Sequence, residues 1–417
     1  MPPKAIPTAA LEKHMTFMER DTHRQNSSAV SILNALLREG QASRASDLHL
    51  NPTADAFVVR FRVDGNLYDA HSFPLLFHSE ILARIKILAG LRTDEHQVPQ
   101  DGRFRFESSS QSIDVRVSIA PTYFGENAIL RLLSANHTLC ALPSLGLHAV
   151  HQRLLERAAT RPHGMILITG PTGCGKTSTL YAVLQLLNTG SRSIITIEDP
   201  VEYAVNGISQ ISTNQNAGLS FALGLRSILR QDPDIIGVGE IRDSETAHLA
   251  TNAALTGHLV LSTLHTIDAP SALTRLMDLH IEPYLVASTV SVVVGQRLLP
   301  RLCHICRKRK ALRKDQLERL KLVTEAYPSL PAKLNSHYVA TGCNECHNSG
   351  VRGRIGVFEI MSMDETLREA VSRKASAQEF SALAAAQGME SLFCDGLRKV
   401  SLGLIRLDDL MVFIPDL

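Results

Sequence analysis

The alternation of apolar and polar positions changes character along the chain. Residues 29–37 repeat their apolar side chains at helical spacing. Further on, Phe57, Val59, Phe61 and Val63 alternate with Val58, Arg60 and Arg62, the period of a strand with one buried face. Asp64-Gly65 follows directly and predicts a tight hairpin, because both residue types tolerate left-handed backbone. After an apolar helical stretch at residues 81–91, Ile113, Val115, Val117 and Ile119 alternate with Asp114, Arg116 and Ser118. Together these elements predict a small α+β domain over residues 28–134, its sheet antiparallel with one wet face.

Beyond a linker and first helix at residues 135–160, alternation gives way to short continuous apolar runs at residues 165–168, 194–197, 235–238 and 259–261. Runs of this length separated by helical stretches are expected of parallel strands buried on both faces, so an α/β core is predicted over residues 161–300. Residues 301–355 form a Cys-, His- and Arg/Lys-rich insertion, and residues 356–417 a helical region from Asp364 with breaks at Gly388 and Gly403. Residues 1–27 are polar without a sustained period and are read as a tail. A length of 417 residues also exceeds what one hydrophobic core supports.

Composition narrows the function classes. With 43 basic and 41 acidic residues the formal charge is +2, too small for a global field that pulls the protein onto nucleic acid, and the chain contains no Trp. The first twenty residues lack a continuous apolar segment of the secretory type. Residues 285–299, the most apolar later stretch, are interrupted by Ser288, Thr289, Ser291, Gln296 and Arg297, short of the roughly 20 apolar residues that a bilayer span needs. These features predict a cytoplasmic protein that meets a membrane through partners.

The densest chemistry lies at Gly170-Pro171-Thr172-Gly173-Cys174-Gly175-Lys176-Thr177, followed by Ser178. In this spacing glycines let backbone N–H groups turn around phosphates, the Lys neutralises β/γ charge and the Thr hydroxyl ligates magnesium. An apolar run precedes the loop and a helical pattern follows, as anion binding at a helix N-terminus requires. Only the backbone of Cys174 is needed, so its thiol is incidental to binding, though open to oxidation. The run ending at Ile197 leads into Glu198-Asp199-Pro200-Val201-Glu202, which places carboxylates at the sheet edge where a general base for water belongs. Residues 234–239 lead to Glu240, the expected magnesium-side carboxylate. His258 and His265 bracket the next run.

Cys303-His-Ile-Cys306 and Cys343-Asn-Glu-Cys346 are two Cys-x-x-Cys pairs separated by residues 307–342. Four thiolates from two such knuckles suit structural zinc, with redox or idle thiols as the alternative. The basic cluster at residues 308–314 reads as a solvated face, with acidic lipid headgroups as a second possibility.

These residues resemble, in order, the Asp box (residues 197–203), Walker B box (229–243) and His box (256–266) of the secretion ATPases that drive type II secretion and type IV pilus assembly. The resemblance extends to Ala45-Ser-Asp-Leu-His-Leu50, Val63-Asp-Gly65, Pro99-Gln-Asp-Gly-Arg103, Gly125-Glu126 and the cysteines, and covers roughly residues 40–415. It implies a RecA-like P-loop ATPase core preceded by a PAS-like α+β domain, with a four-cysteine metal-binding insertion and a helical C-terminal region. It also implies a homo-hexamer using ATP, magnesium and zinc, with Glu198 polarising the attacking water and Glu240 holding the metal-bound water network. His258 and His265 would couple nucleotide state to strand movement. Arg226, Arg230 and Arg275 from the motor domain, and Arg116 and Arg131 from the first domain, would neutralise phosphoryl charge within or between subunits. Expected partners are a polytopic inner-membrane platform protein and a membrane-bound cytoplasmic docking protein, at the inner face of the bacterial inner membrane, with no direct nucleic acid. Two rivals are a non-hydrolysing subunit that holds a ring together and a nucleic-acid motor. Fewer than 45 residues precede the Ala45-Ser46-Asp47 motif, where larger members carry an additional docking domain, and Gln97 stands where a basic residue commonly precedes Val-Pro.

Overall fold

The computed structural model describes residues 28–107, 112–134, 141–214, 217–326, 334, 336–346 and 348–412. The polar tail at 1–27 and residues 135–140 of the linker lie outside that set. Spatial grouping gives two units, Met1–His137 with Gly342–Ser349, and Thr138–Thr341 with Gly350–Leu417.

In the first unit, alternating side chains build one antiparallel sheet of six strands: β1 (Ala45–Pro52), β2 (Phe57–Val63), β3 (Asn66–Phe73), β4 (Gln100–Glu107), β5 (Ser112–Thr122) and β6 (Gly125–Ser134), in spatial order β3-β2-β1-β6-β5-β4. Phe57, Val59 and Phe61 join Val115, Val117 and Ile119 in a core covered by helices Ala29–Ala42 and Leu76–Ala89. Asp64 (φ 49°) and Gly65 (φ 89°) make the β2–β3 turn, both left-handed. The face away from the core carries a cross-strand row in which Arg62 lies opposite Asp47, Asp47 opposite Arg131, Arg131 opposite Arg116 and Arg116 opposite Arg103.

The second unit is built on a mixed sheet of seven strands. The apolar runs become β7 (Gly164–Thr169), β8 (Ile194–Glu198), β10 (Ile235–Val238) and β11 (Leu259–Leu264), all parallel, with β9 (Ser209–Ser212) at one edge. Every residue of β7, β8, β10 and β11 is buried. One face packs on helix Lys176–Leu187 through Leu180 and Leu184, the other on helices Ser244–Leu255 and Pro270–Asp278.

The stretch at residues 285–299 divides between helix Pro283–Thr289 and the long strand β12 (Val290–Leu302), which is parallel to β7 and antiparallel to β15 (Val351–Ser362). The sheet therefore runs in the order β15-β12-β7-β11-β10-β8-β9, and the expected boundary at 355/356 falls inside one of its strands. Local periodicity carries no sign of that pairing, because the partners are far apart in sequence. Between them, β13 (Arg307–Ala311) and β14 (Ser336–Ala340) form a two-stranded ribbon, and Lys308, Arg309 and Lys310 of the basic cluster lie on it. After Asp364 come helices Glu365–Ser372, Ala377–Ala386, Leu392–Ser401 and Leu407–Met411, with Gly388 and Gly403 between elements in left-handed backbone. Among the described residues no helix is long and apolar enough to cross a membrane.

Candidate active site

The loop Gly170–Thr177 joins the end of β7 to the helix Lys176–Leu187, and Gly173 (φ 77°) and Gly175 (φ 88°) turn it back through left-handed backbone. A side chain at Gly170 would meet the Gln296 carbonyl oxygen at 2.5 Å and Cys174 Sγ at 2.6 Å, so the loop lies directly on β12. Gln296 fastens it there: its Nε2 donates to the Cys174 carbonyl at 2.8 Å and its Oε1 accepts from Thr179 Oγ1 at 2.7 Å. Lys176 Nζ donates to the Gly170 and Pro171 carbonyls at 2.8 and 3.0 Å. Burial pulls this ammonium below its ordinary range, and nearby Arg297 adds to the effect against Cys174 and Glu240. Pro171, Thr172, Gly173, Thr177 and Ser178 are exposed, which leaves the rim of the loop open. The Cys174 thiol faces inward, and burial pushes its pKa up, so it lacks the exposure and thiolate character of a reactive cysteine.

Glu198 ends β8 with a buried carboxylate. Its Oε2 accepts from the Tyr181 hydroxyl, and its Oε1 from Thr196 Oγ1 at 2.6 Å and Gln210 Nε2 at 3.2 Å. Glu240 stands two residues past β10, where Oε1 pairs with Arg242 at 2.6 Å and Oε2 accepts from His265 Nε2 at 3.1 Å. The segment carrying His265 is tied down at several points. The Thr266 N–H donates to Thr169 Oγ1 at 3.1 Å, their hydroxyls are hydrogen-bonded, and the Arg297 guanidinium donates to the Ile267 carbonyl. The loop, Glu198, Glu240 and His265 thus all follow the carboxyl ends of parallel strands, the edge at which open α/β sheets bind ligands.

His258 is not brought to that edge. It precedes β11, its carbonyl accepts from the N–H of Gly164 at the start of β7, and its Nδ1 caps the Ala253 carbonyl at 2.9 Å. The six residues of β11 place it about 20 Å from the loop end of the sheet. Directly ahead of β11, His258 takes the amino end of the strand, and His265 directly after it takes the carboxyl end.

The arginines divide between the units. Arg226 pairs with Glu245 at 2.6 Å, Arg230 donates to the Arg226 carbonyl at 3.0 Å, and Arg275 is exposed near the end of helix Pro270–Asp278. In the first unit, Arg131 Nε donates to Asp47 Oδ1 at 2.8 Å. Burial alone would raise the Asp47 pKa, but Arg131 and Ser46 hold it below its ordinary value.

Cys303, Cys306, Cys343 and Cys346 bring their sulfurs within 4.8 Å of one another. Cys343 and Cys346 Sγ are 3.7 Å apart, close to the ~3.8 Å edge of a tetrahedron with zinc–sulfur bonds of about 2.3 Å. The Cys343 N–H donates to Cys346 Sγ at 3.2 Å, an interaction that stabilises thiolate charge. The donor set fits zinc, which would be structural because four thiolates fill its coordination. Protein purified without chelators is expected to contain about one zinc per chain, and Cys343→Ser to lose it and melt at lower temperature. Metal analysis by mass spectrometry decides; a metal-free wild type sinks the assignment.

Several site residues escaped the sequence reading. Tyr181, Thr196 and Gln210 donate to Glu198, while Gln296 and Arg297 lie against the loop. Glu359, on β15, is buried opposite Gly295, where any side chain would come within 2.6 Å of its carboxylate. Its Oε1 accepts from the Ala269 N–H at 2.7 Å and its Oε2 from the Leu392 N–H at 3.3 Å, joining the segment after His265 to a C-terminal helix. Burial, reinforced by Asp268 and opposed by those N–H donors and Arg297, pushes its pKa to about 7 from 4.5. The folded protein therefore keeps this proton up to about pH 7, whereas the unfolded chain releases it near 4.5. Its contribution to stability is full below the unfolded value and is lost as pH rises through about 7. Melting temperatures from pH 5 to 8 are expected to show wild type losing stability relative to Glu359→Gln as pH rises. A constant difference would contradict the buried acid.

The sequence model of the family described as "Type II/IV secretion system protein" matches residues 22–412. The chain belongs to this family. It is 42% identical over 385 residues to the "Type IV pilus assembly ATPase PilB" of Myxococcus xanthus, covering 92% of this chain and 67% of that protein. It is likewise 42% identical over 382 residues to the "Type II secretion system protein E" of Pseudomonas aeruginosa, covering 92% of this chain and 74% of the relative. Among solved structures, the pilus retraction motor PilT with bound ADP is similar with a TM-score of 0.64 at 25% identity, covering 92% of this chain and 97% of that one. The Legionella pneumophila ATPase DotB has a TM-score of 0.67 at 19% identity over 93% and 96% of the two chains, a likeness of fold. Within this family the chain is an ATPase.

Proposed function

We propose that this chain is the hexameric motor that powers assembly of a type IV pilus or type II secretion pseudopilus from the cytoplasmic face of the bacterial inner membrane. The observation that carries the reading is the convergence of Lys176, Glu198, Glu240 and His265 at one edge of the parallel sheet. The second unit is read as a RecA-like core and the first as a PAS-like domain. Residues 170–178 would hold the phosphates of ATP, with the Lys176 ammonium leaving the Gly170 and Pro171 carbonyls for the β/γ oxygens. Thr177 would hold magnesium, which supplies Lewis-acid stabilisation of phosphoryl charge when bound. Glu198 would accept the proton of the attacking water and Glu240 orient water around the metal, with His265 fixing its carboxylate. The open rim of the loop leaves room for the arginine side chains that ring ATPases supply from the same or a neighbouring subunit, the role assigned to Arg116, Arg131, Arg226, Arg230 and Arg275. His258, at the far sheet edge, would act only through movement of β11.

ATP-driven closure between domains would pass force to a polytopic inner-membrane platform protein, with docking to a membrane-bound cytoplasmic protein and peripheral membrane contact. Affinity capture in ATP and magnesium is expected to retain the platform protein, and light scattering to give a hexameric mass. A monomer that captures no polytopic membrane protein would overturn the motor assignment while leaving ATP hydrolysis intact.

A further inference from the structure

The cage around Glu198 has a direction. Gln210 is oriented by the Val205 N–H, which donates to its Oε1 at 2.7 Å, so its Nε2 faces Glu198, the Tyr181 hydroxyl at 3.4 Å and the Tyr203 carbonyl at 3.2 Å. The Glu202 N–H is directed at the same phenol oxygen. With donors on those sides, the one proton of the Tyr181 hydroxyl goes to Glu198 Oε2. Tyr203 packs on the Tyr181 ring with centroids 4.4 Å apart and fixes its plane.

An ionised carboxylate offers about four acceptor lone pairs. Thr196 and Gln210 occupy the two on Oε1, and Tyr181 occupies one on Oε2. Among the described residues no other donor reaches this carboxylate, which leaves one lone pair, on Oε2. Tyr181 also belongs to the helix that begins at Lys176, so the element bearing the loop's cation holds the carboxylate as well.

We propose that Tyr181 is a positioning residue for ATP hydrolysis, whose phenol, braced by Gln210, fixes Glu198 so that the remaining lone pair of Oε2 receives the attacking water. This rests on the reading of Glu198 as the water-polarising group. In the step, the water oxygen bonds to the γ-phosphorus as the bond to the β,γ-bridging oxygen breaks. That electron pair leaves with ADP, and the water proton passes to Glu198 Oε2. Tyr181 keeps its own proton throughout: burial and the adjacent Glu198 carboxylate push its pKa far above the ordinary phenol value. The hydroxyl therefore sets the geometry and does not carry the proton.

The test measures steady-state phosphate release by the assembled full-length protein in ATP and magnesium. Tyr181→Phe is expected to lower kcat at least tenfold with KM for ATP within about twofold of wild type, because the loop keeps its contacts. In a Glu198→Gln background the same change is expected to cost less than twofold, since its effect passes through Glu198. Gln210→Ala, on a half-exposed edge strand, covers the case in which Tyr181→Phe fails to fold and is expected to lower kcat severalfold at unchanged KM. Wild-type kcat in Tyr181→Phe, or in Gln210→Ala where Tyr181→Phe does not fold, overturns the proposal, as does an undiminished tenfold loss in the Glu198→Gln background. Full turnover by Glu198→Gln alone would remove the reading of Glu198 and this inference together. An inactive Glu198→Gln beside fully active Tyr181→Phe removes only this one.

Discussion

Glu198→Gln is expected to lower kcat for ATP hydrolysis on the order of 10²- to 10⁴-fold, the range contributed by a positioned general base. The substitution is nearly isosteric and removes the proton-accepting charge while the fold around it stays closed. It also disturbs the cage in a definite way. Thr196 and Gln210 already donate to one oxygen and Tyr181 to the other, so an amide nitrogen at either position faces a donor. Some slowing will therefore come from misplacement as well as from the lost base. KM for ATP should change little, because the loop is held by Lys176 and by Gln296 of β12 and makes none of its bonds to Glu198. Steady-state phosphate release with nucleotide binding measured in parallel checks both halves. Retained turnover would move the base elsewhere, with Glu240 the next carboxylate at the same edge.

The largest stability effect is expected at the helix packed on β15, whose Phe358 lies opposite Gln296 of β12. Asp395, in helix Leu392–Ser401, is fully buried; its Oδ2 accepts from the Phe358 N–H of β15 at 2.9 Å and from Lys399 Nζ. Lys399 is buried too, its ammonium 5.2 Å from the centre of the Phe358 ring. Burial pulls the Lys399 pKa down while Asp395 holds it up, so the lysine depends on its partner. Asp395→Ala leaves a buried cation and a buried N–H unsatisfied, a loss of about 3–5 kcal/mol for a broken buried pair. A fall in melting temperature on the order of 10 °C follows for a unit of this size. Adding Lys399→Met to that variant should recover much of it, since the stranded charge is then gone. A melting temperature unchanged in Asp395→Ala would show that the pair contributes little to holding the C-terminal helix on the sheet.

Much of the frame was legible because burial leaves a compositional mark. Strands β7, β10 and β11 are apolar almost throughout, and Asp64-Gly65 made the turn that its left-handed preference foretold. The loop and the acids after β8 and β10 were legible because their spacing is dictated by chemistry. What escaped was polarity enclosed by packing. Gln296 interrupts an apolar run and was read as a mark against a membrane span, when it is the side chain that fastens the loop. Tyr181 looks like one more core residue of a helix, and only the fold places its hydroxyl on Glu198. The partners of Glu359, and the β15 N–H that Asp395 binds, lie dozens of residues away, so neither propensity nor period could announce those contacts. His258 shows the converse: a neighbourhood in sequence that the strand then separates.

The bonds from Gln296 also bear on how nucleotide is captured. A glycine-rich loop free in solution loses on the order of 1–2 kcal/mol of backbone entropy for each residue it orders. Here a strand residue grips the loop at the Cys174 carbonyl and at Thr179, on either side of Lys176 and Thr177. The ordering cost is met when the chain folds, and on the proposed reading phosphate would meet a loop already shaped. On the proposed reading, capture would then wait on diffusion and on withdrawal of the Lys176 side chain from the Gly170 and Pro171 carbonyls, with no further ordering of the loop backbone.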